Sequence, residues 1–375
     1  MSIHKLNALK LANSHLKLDK ETIQHIVFIY CPPKVGSTSL VSSIRLFGSE
    51  KFTVIHIHDE IMLKILANIH NVTVNELIQY NHEIGKQVYV IDVYRSPIER
   101  KMSDFFENLA VYHFNNTEEN ISHYPIQKII NRFNKLFPFL STEDYYLEKY
   151  GISDIPNVFP FEQKYLMQTV NGIQYLKLRL KDSNEWGHIL TKWLQIKIVV
   201  IQDYQTDNKT IGNLYQEFKT KYRIPLSLLK EIEQDKHLQY FYSPLEIKTY
   251  IESWKKKSEP SDNFKPFSQC EYELYHLLCL ENKFYDSIQF NHYFDSGCGC
   301  KLCNAKRFKN RIKILTLGEK SLESSDKIIH VEVVETFNNK LVEKINKINK
   351  INKINKKKVV KKEVKNMLSI MPSFV

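Results

Sequence analysis

The sequence predicts a three-layer α/β protein: a central, mainly parallel sheet with helices on both faces, plus a C-terminal extension. Three observations carry this. At 375 residues with 43% hydrophobic content, the chain can bury a sizeable core. Short runs rich in Val and Ile stand at 25–31, 51–58, 87–94 and 196–204. Each run leads into a helical pattern, and strands that alternate with helices build parallel sheets covered on both faces.

The elements follow in order. Residues 1–22 are a polar N-terminal extension with no signal-peptide core and no apolar run long enough to cross a membrane, so the expected location is cytoplasmic. The main α/β domain is expected over 23–257. Its first strand, "HIVFIYC", empties into "PPKVGSTS" and then turns helical. The second, "KFTVIHIH", ends in His56 and His58, which share one face because strand side chains alternate. The third, "QVYVIDVY", leads into "RSPIERKMSDFFENL". There Ser96 reads as an N-cap, Pro97 as the first helical residue and Glu99 as the return partner of a capping box.

Residues 104–195 read as mostly helical, with aromatic-rich connections suited by elimination to an acceptor-binding lobe. The fourth strand is expected at 196–204. Ser243 and Glu246 mark a second capping box, opening the helix "PLEIKTYIESWKKK". Residues 258–339 form the C-terminal extension, with a helix expected around 270–284 and strands at 312–317 and 328–335. Cys298, Cys300 and Cys303 cluster there, with His292, Cys270 and Cys279 as further zinc-ligand candidates. The C-x-C-x-x-C spacing lacks a paired second half, so zinc and free thiols both stay open.

Charge adds little to the functional reading. Residues 340–365 hold eleven Lys against two Glu, nearly the whole formal charge of +11. The tail, 340–375, includes "INKINKINKINK", whose three-residue period fits neither helix nor strand, and reads as disordered. It offers weak electrostatic contact with nucleic acid or an acidic surface.

Ligands of parallel sheets sit beyond the carboxyl ends of the strands, which directs attention to the loops after Cys31, His58, Tyr94 and Tyr204. The first is fit to bind phosphate. Gly36 lets backbone come close, Ser37, Thr38 and Ser39 bring donors to a helix N-terminus, and Lys34 adds a full charge. It is not the nucleotide-triphosphatase loop, which needs Gly-Lys-Ser/Thr in that order. In the third loop Arg95 leaves the strand and Ser103 follows eight residues later along the helix, with Arg100 one turn earlier. A guanidinium and a hydroxyl so spaced suit a phosphate monoester.

Two anion sites at adjacent strand ends call for a ligand with two separated phosphates. The pair "PKVGSTS" and "RSPIERKMS" resembles the donor-binding motifs of sulfotransferases that use 3'-phosphoadenosine 5'-phosphosulfate. The pattern R-x-P-x-x-R-x-x-S, and the late helix "HLQYFYSPLEIKTYIESW", are most similar to the carbohydrate and capsular-polysaccharide members. The resemblance implies a P-loop-like fold, and a donor held by Lys34, Gly36, Ser37 and Thr38 at its 5' end and by Arg95 and Ser103 at its 3'-phosphate; Ser39 joins the cofactor-binding candidates as a further donor of the first loop. It implies in-line sulfuryl transfer to a hydroxyl of a glycan or small acceptor, with no metal required. His58 matches the family's base, whereas His56 stands where the small-molecule branch has a lysine, and Asp59 and Glu60 are reserve candidates. Two other readings remain: a nucleotide or phosphosugar kinase-like phosphotransferase, and a non-catalytic nucleotide- or nucleic-acid-binding protein.

Overall fold

The computed structural model describes residues 2–114, 116–201, 210–260, 264–273 and 275. The first half contains α1 (Ile3–His15), β1 (His25–Tyr30), α2 (Ser37–Gly48), β2 (Phe52–Ile57), α3 (Glu60–Ala67) and α4 (Val74–Glu83). It continues through β3 (Gln87–Tyr94), α5 (Pro97–Glu107), α6 (Glu118–Ile121), α7 (Ile126–Leu136) and α8 (Tyr145–Glu148). Then come β4 (Tyr165–Val170), β5 (Ile173–Arg179), α9 (Trp186–Leu194), α10 (Gly212–Lys221) and β6 (Ile224–Pro225). Last are α11 (Leu226–Glu233), α12 (Lys236–Phe241), α13 (Pro244–Lys255) and β7 (Ser258–Glu259).

Five strands form the central sheet in the order β2-β1-β3-β5-β4. β2, β1, β3 and β5 run parallel, and β4 pairs antiparallel with β5. The alternation within β1 explains the layers. Ile26, Phe28 and Tyr30 enter the core on one face, while Val27, Ile29 and the following Cys31 enter the core on the other. On the second face α2 and α9 cover the sheet through Leu40, Ile44, Ile189 and Leu190. α5 packs on the first face through Ile98, Met102, Phe105 and Phe106, each burial contributing about 1.5–3 kcal/mol.

Three sequence expectations change. Among the described residues of the fourth expected strand, 196–201, none joins the sheet. Instead Ile198 is buried in the second-face core, with its N–H donated to Thr191 Oγ1 at 2.9 Å, and the Ile201 N–H reaches Ser43 Oγ at 2.8 Å. The sheet position beside β3 is taken by β5, from a hairpin inside the stretch expected to be mostly helical. That hairpin turns at Asn171 (φ 50°) and Gly172 (φ 82°), with Val170 opposite Ile173, the left-handed pair that a two-residue turn requires.

The third change concerns α5. Pro97 is its first residue as expected, but Ser96 makes no side-chain cap. The Ile98 N–H donates to the Tyr250 hydroxyl at 3.2 Å. Glu99 is drawn away from the backbone, accepting from Tyr250 Oη at 2.7 Å and Trp254 Nε1 at 3.1 Å. The cap is thus tertiary, supplied by α13. α13 itself starts with the expected box: Ser243 Oγ accepts the Glu246 N–H at 3.3 Å and the Glu246 carboxylate accepts the Ser243 N–H at 2.8 Å.

Residues 269–273 are helical, where the helix around 270–284 was expected to begin. The rest of that helix, the strands at 312–317 and 328–335, Cys298, Cys300, Cys303, His292 and Cys279, and the lysine tail lie outside the described residues. Among the described residues no helix is long and apolar enough to cross a membrane.

Candidate functional site

β1 lies between β2 and β3, so the loops after these three strands meet at one carboxyl edge. The chain leaves β1 toward α2 on the second face and leaves β3 toward α5 on the first. Departures to opposite faces open a crevice between the two loops, the place where open parallel sheets bind ligands.

The β1 loop has an unusual backbone. Lys34 (φ 67°) and Gly36 (φ 93°) are both left-handed, and Gly36 is the N-cap of α2, with no side chain to offer the first-turn N–H groups. A Cβ on Gly36 would stand 2.9 Å from Leu180 Cδ1 and 3.3 Å from Trp186 Cη2, besides being strained by the positive φ. Ser37 is buried, and Thr38 and Ser39 are half-buried. The Lys34 ammonium meets Glu107 Oε2 of α5 at 3.1 Å.

Arg95 joins the two loops, its Nη1 donating to the Lys34 carbonyl at 2.8 Å. Burial lowers its pKa from the ordinary value, opposed by the neighbouring Tyr215 and Glu99. Arg100 and Ser103, 7% and 5% exposed, sit farther along α5. Arg100 Nη1 donates to the Glu143 carbonyl at 2.5 Å. No hydrogen bond joins Arg95 to Ser103.

At the end of β2 the two histidine rings touch edge to face, with centroids 4.6 Å apart. His56 Nε2 lies 3.1 Å from Ser37 Oγ, so it holds the first turn of α2. Burial, then His58 and Arg45, push the pKa of His56 down to about 4. His58 Nδ1 lies 2.8 Å from the Cys31 carbonyl. A carbonyl only accepts, so the ring proton sits on Nδ1 and the lone pair on Nε2. Burial lowers the His58 pKa despite that bond and nearby Asp59, leaving a neutral imidazole that can accept a proton.

The reserve carboxylates have other partners. Asp59 caps α3, its Oδ1 accepting the Met62 N–H at 2.7 Å. Glu60 pairs with Lys149 at 3.2 Å and accepts from the Tyr30 hydroxyl at 3.4 Å.

Sequence reasoning missed Glu107, whose relation to Lys34 depends on how α5 packs, and a charged cluster inside the sheet. There Lys177 Nζ lies 2.9 Å from Asp92 Oδ2 and 2.5 Å from Asp144 Oδ2, all three side chains at most 2% exposed. Asp92 and Lys177 are register partners on β3 and β5. Among the described residues no group of three or more His, Cys, Asp or Glu is placed to hold a metal, and Cys31 and Cys270 are free thiols.

A scan of protein-family models finds no match to this chain, and searches among curated proteins and solved structures find none either.

Proposed function

We propose that this protein is a P-loop-like sulfotransferase that moves a sulfuryl group from 3'-phosphoadenosine 5'-phosphosulfate to a hydroxyl of a glycan or related acceptor. The observation that carries the reading is the Arg95–Lys34 hydrogen bond of 2.8 Å across the crevice. It sets two cationic loops side by side where the chain departs to opposite faces, an arrangement suited to a ligand with two separate phosphates.

The residues suit this donor. The bare backbone at Gly36, walled by Leu180 and Trp186, allows a phosphate to approach main-chain N–H groups at the start of α2. Arg95 and Ser103 would hold the 3'-phosphate. The bound donor supplies the sulfuryl group together with a phosphate leaving group.

The chain's own residues account for the remaining chemistry. His58 Nε2 accepts the proton of the attacking hydroxyl, a role typically worth about 10²- to 10⁴-fold in rate. Lys34 stabilises negative charge growing on the leaving oxygen. One preorganised donor of this kind contributes about 2.7–4 kcal/mol. His56, bonded to Ser37 and neutral well below pH 7, keeps the loop in position rather than moving a proton.

Isothermal titration with 3'-phosphoadenosine 5'-phosphate, AMP and ATP tests the reading. The expected result is preference for the 3'-phosphorylated nucleotide and a loss of roughly 10- to 100-fold in Arg95→Ala, the size of one or two charge-assisted bonds. Equal or absent binding of all three nucleotides would overturn it. His58→Ala should keep nucleotide affinity while losing transfer.

A further inference from the structure

Residues 157–161, the α12–α13 corner and the first three turns of α13 enclose a cavity of about 590 Å³, within the roughly 300–1,000 Å³ of small-molecule sites. Its deepest lining is apolar, since Tyr242, Ile247 and Ile251 are buried. Two further aromatic residues, Phe161 and Tyr240, line it and are only half-buried. The Tyr240 hydroxyl donates to the Pro156 carbonyl at 2.9 Å, so that side chain has its ring left to offer a ligand. Phe161 is steadied by Phe159, with ring centroids 5.7 Å apart.

The polar lining is exposed and electrically balanced. Asn157 and Gln239 bring amides, and Glu233 and Glu252 are matched in number by Lys248 and Lys255. Two more cations lie close, Arg179 at 6.0 Å from the Phe161 ring and Lys181 at 5.0 Å from the Tyr242 ring. Both are neutralised in place, Arg179 by Asp182 and Glu246, Lys181 by Glu246. A charged ligand therefore meets no net attraction here. Half-covered rings among balanced polar groups suit a molecule with one apolar face and many hydroxyls. A pyranose has both: its C–H face lies on an aromatic ring while its hydroxyls exchange hydrogen bonds with amides, carboxylates and ammonium groups.

We propose that this cavity is a subsite for a neutral stretch of oligosaccharide, which holds sugar units of the acceptor away from the reacting hydroxyl. The word acceptor rests on the transferase reading; the fit to a neutral sugar does not. The cavity is separate from the donor crevice, since Lys34, Gly36, His58, Arg95 and Ser103 are not among its walls. It is also adjacent: the Tyr242 ring meets that of Tyr94, the last residue of β3, with centroids 5.9 Å apart.

The test is calorimetric titration of the full chain with maltotetraose, cellotetraose and chitotetraose, and with tetragalacturonate as the charged control, each with and without saturating 3'-phosphoadenosine 5'-phosphate. At least one neutral tetrasaccharide should bind, more tightly than tetragalacturonate and equally well when the nucleotide is present. Its affinity should fall at least about tenfold in Phe161→Ala, which removes a stacking ring. It should fall about threefold in Asn157→Ala, a change at an exposed position that leaves the core alone, and hold in Lys34→Ala. Sugar binding with these dependences in a protein that ignores the nucleotide would sink the transferase reading and keep the subsite. Failure of all three neutral sugars to bind, tighter binding of tetragalacturonate, displacement by the nucleotide, or equal affinity in wild type, Phe161→Ala and Asn157→Ala would overturn the inference.

Discussion

Replacing Lys177 by Met tests the charged cluster inside the sheet. Met nearly matches the aliphatic stem of lysine and can stay beneath the Phe241 ring, which the Lys177 ammonium now approaches at 4.7 Å. It leaves Asp92 and Asp144, 1% and 2% exposed, without their shared cation. Breaking a buried ion pair from one side typically costs about 3–5 kcal/mol. A protein of this size should show that as a urea-midpoint shift of roughly 1–2 M, for a slope near 3 kcal/mol/M.

The pH dependence separates this cause from lost packing. Burial, then Asp144, already raise Asp92 to about 7 in spite of Lys177. A carboxyl whose folded pKa is raised adds stability at low pH that is lost as pH climbs through that value. Without the ammonium the folded pKa rises further. Below about pH 7 the two stability curves should therefore run parallel. Above it the variant should lose about 1.4 kcal/mol more per pH unit. Adding Asp92→Asn should recover at least about 1 kcal/mol at pH 8, because the second change removes the stranded charge. A loss under about 1 kcal/mol, or one indifferent to pH, would refute the account.

Gly36→Ala should cost about 2–4 kcal/mol, combining left-handed strain with crowding against Leu180 and Trp186, and should abolish nucleotide binding by calorimetry if the loop cradles phosphate. His113, buried and held to about 3 by burial and Arg132, favours the native state above its ordinary pKa and loses that preference as pH falls from about 6.5 toward 3. His113→Phe should flatten acid denaturation across that window by up to roughly 5 kcal/mol, at the cost of its bond to Tyr275 at neutral pH. Glu246→Ala removes a capping-box bond and two ion pairs, to Arg179 and Lys181, and should lower stability by about 2–3 kcal/mol in urea titrations, against about 1 kcal/mol for Ser243→Ala. Glu107→Gln releases Lys34 from a partly exposed pair worth about 1 kcal/mol at most, so nucleotide affinity should rise up to about fivefold; a fall would show that Glu107 shapes the loop rather than competing with the anion.

How readily each strand is seen in the sequence follows from what its side chains meet. β1, β2 and β3 are buried on both faces and appear as apolar runs. β5 is buried too, but two of its inward positions are Lys177 and Arg179, so "IQYLKLR" looks half-exposed. Those charges are tolerated because Asp92, Asp144, Asp182 and Glu246 come to them from other elements. The Asn171-Gly172 pair was the local signal that could have revealed the hairpin. The run at 196–201 is apolar for a different reason: Ile198 fills the space between helices instead of extending the sheet. Around α5, proline at the first position was readable from local preference. The exchange of the Ser96 box for Tyr250 and Trp254 was not, because it depends on where α13 lands.

The candidate site divides in the same way. Lys34, Gly36, Arg95 and the two histidines can be picked out by residue type at strand ends, since that is where parallel sheets expose chemistry. How the charges are partnered is visible only after folding, and it separates structural from available cations. Lys177 and Arg179 point into the protein and meet carboxylates, so their charge is neutralised in place. Arg95, Arg100 and Lys101 instead donate to backbone carbonyls, which orient each cation. Their counter-charges stand nearby without pairing: Glu99 acts on Arg95, and Asp235, Asp104 and Glu231 act on Lys101, with Asp235 and Glu231 arriving from elements whose position only folding sets.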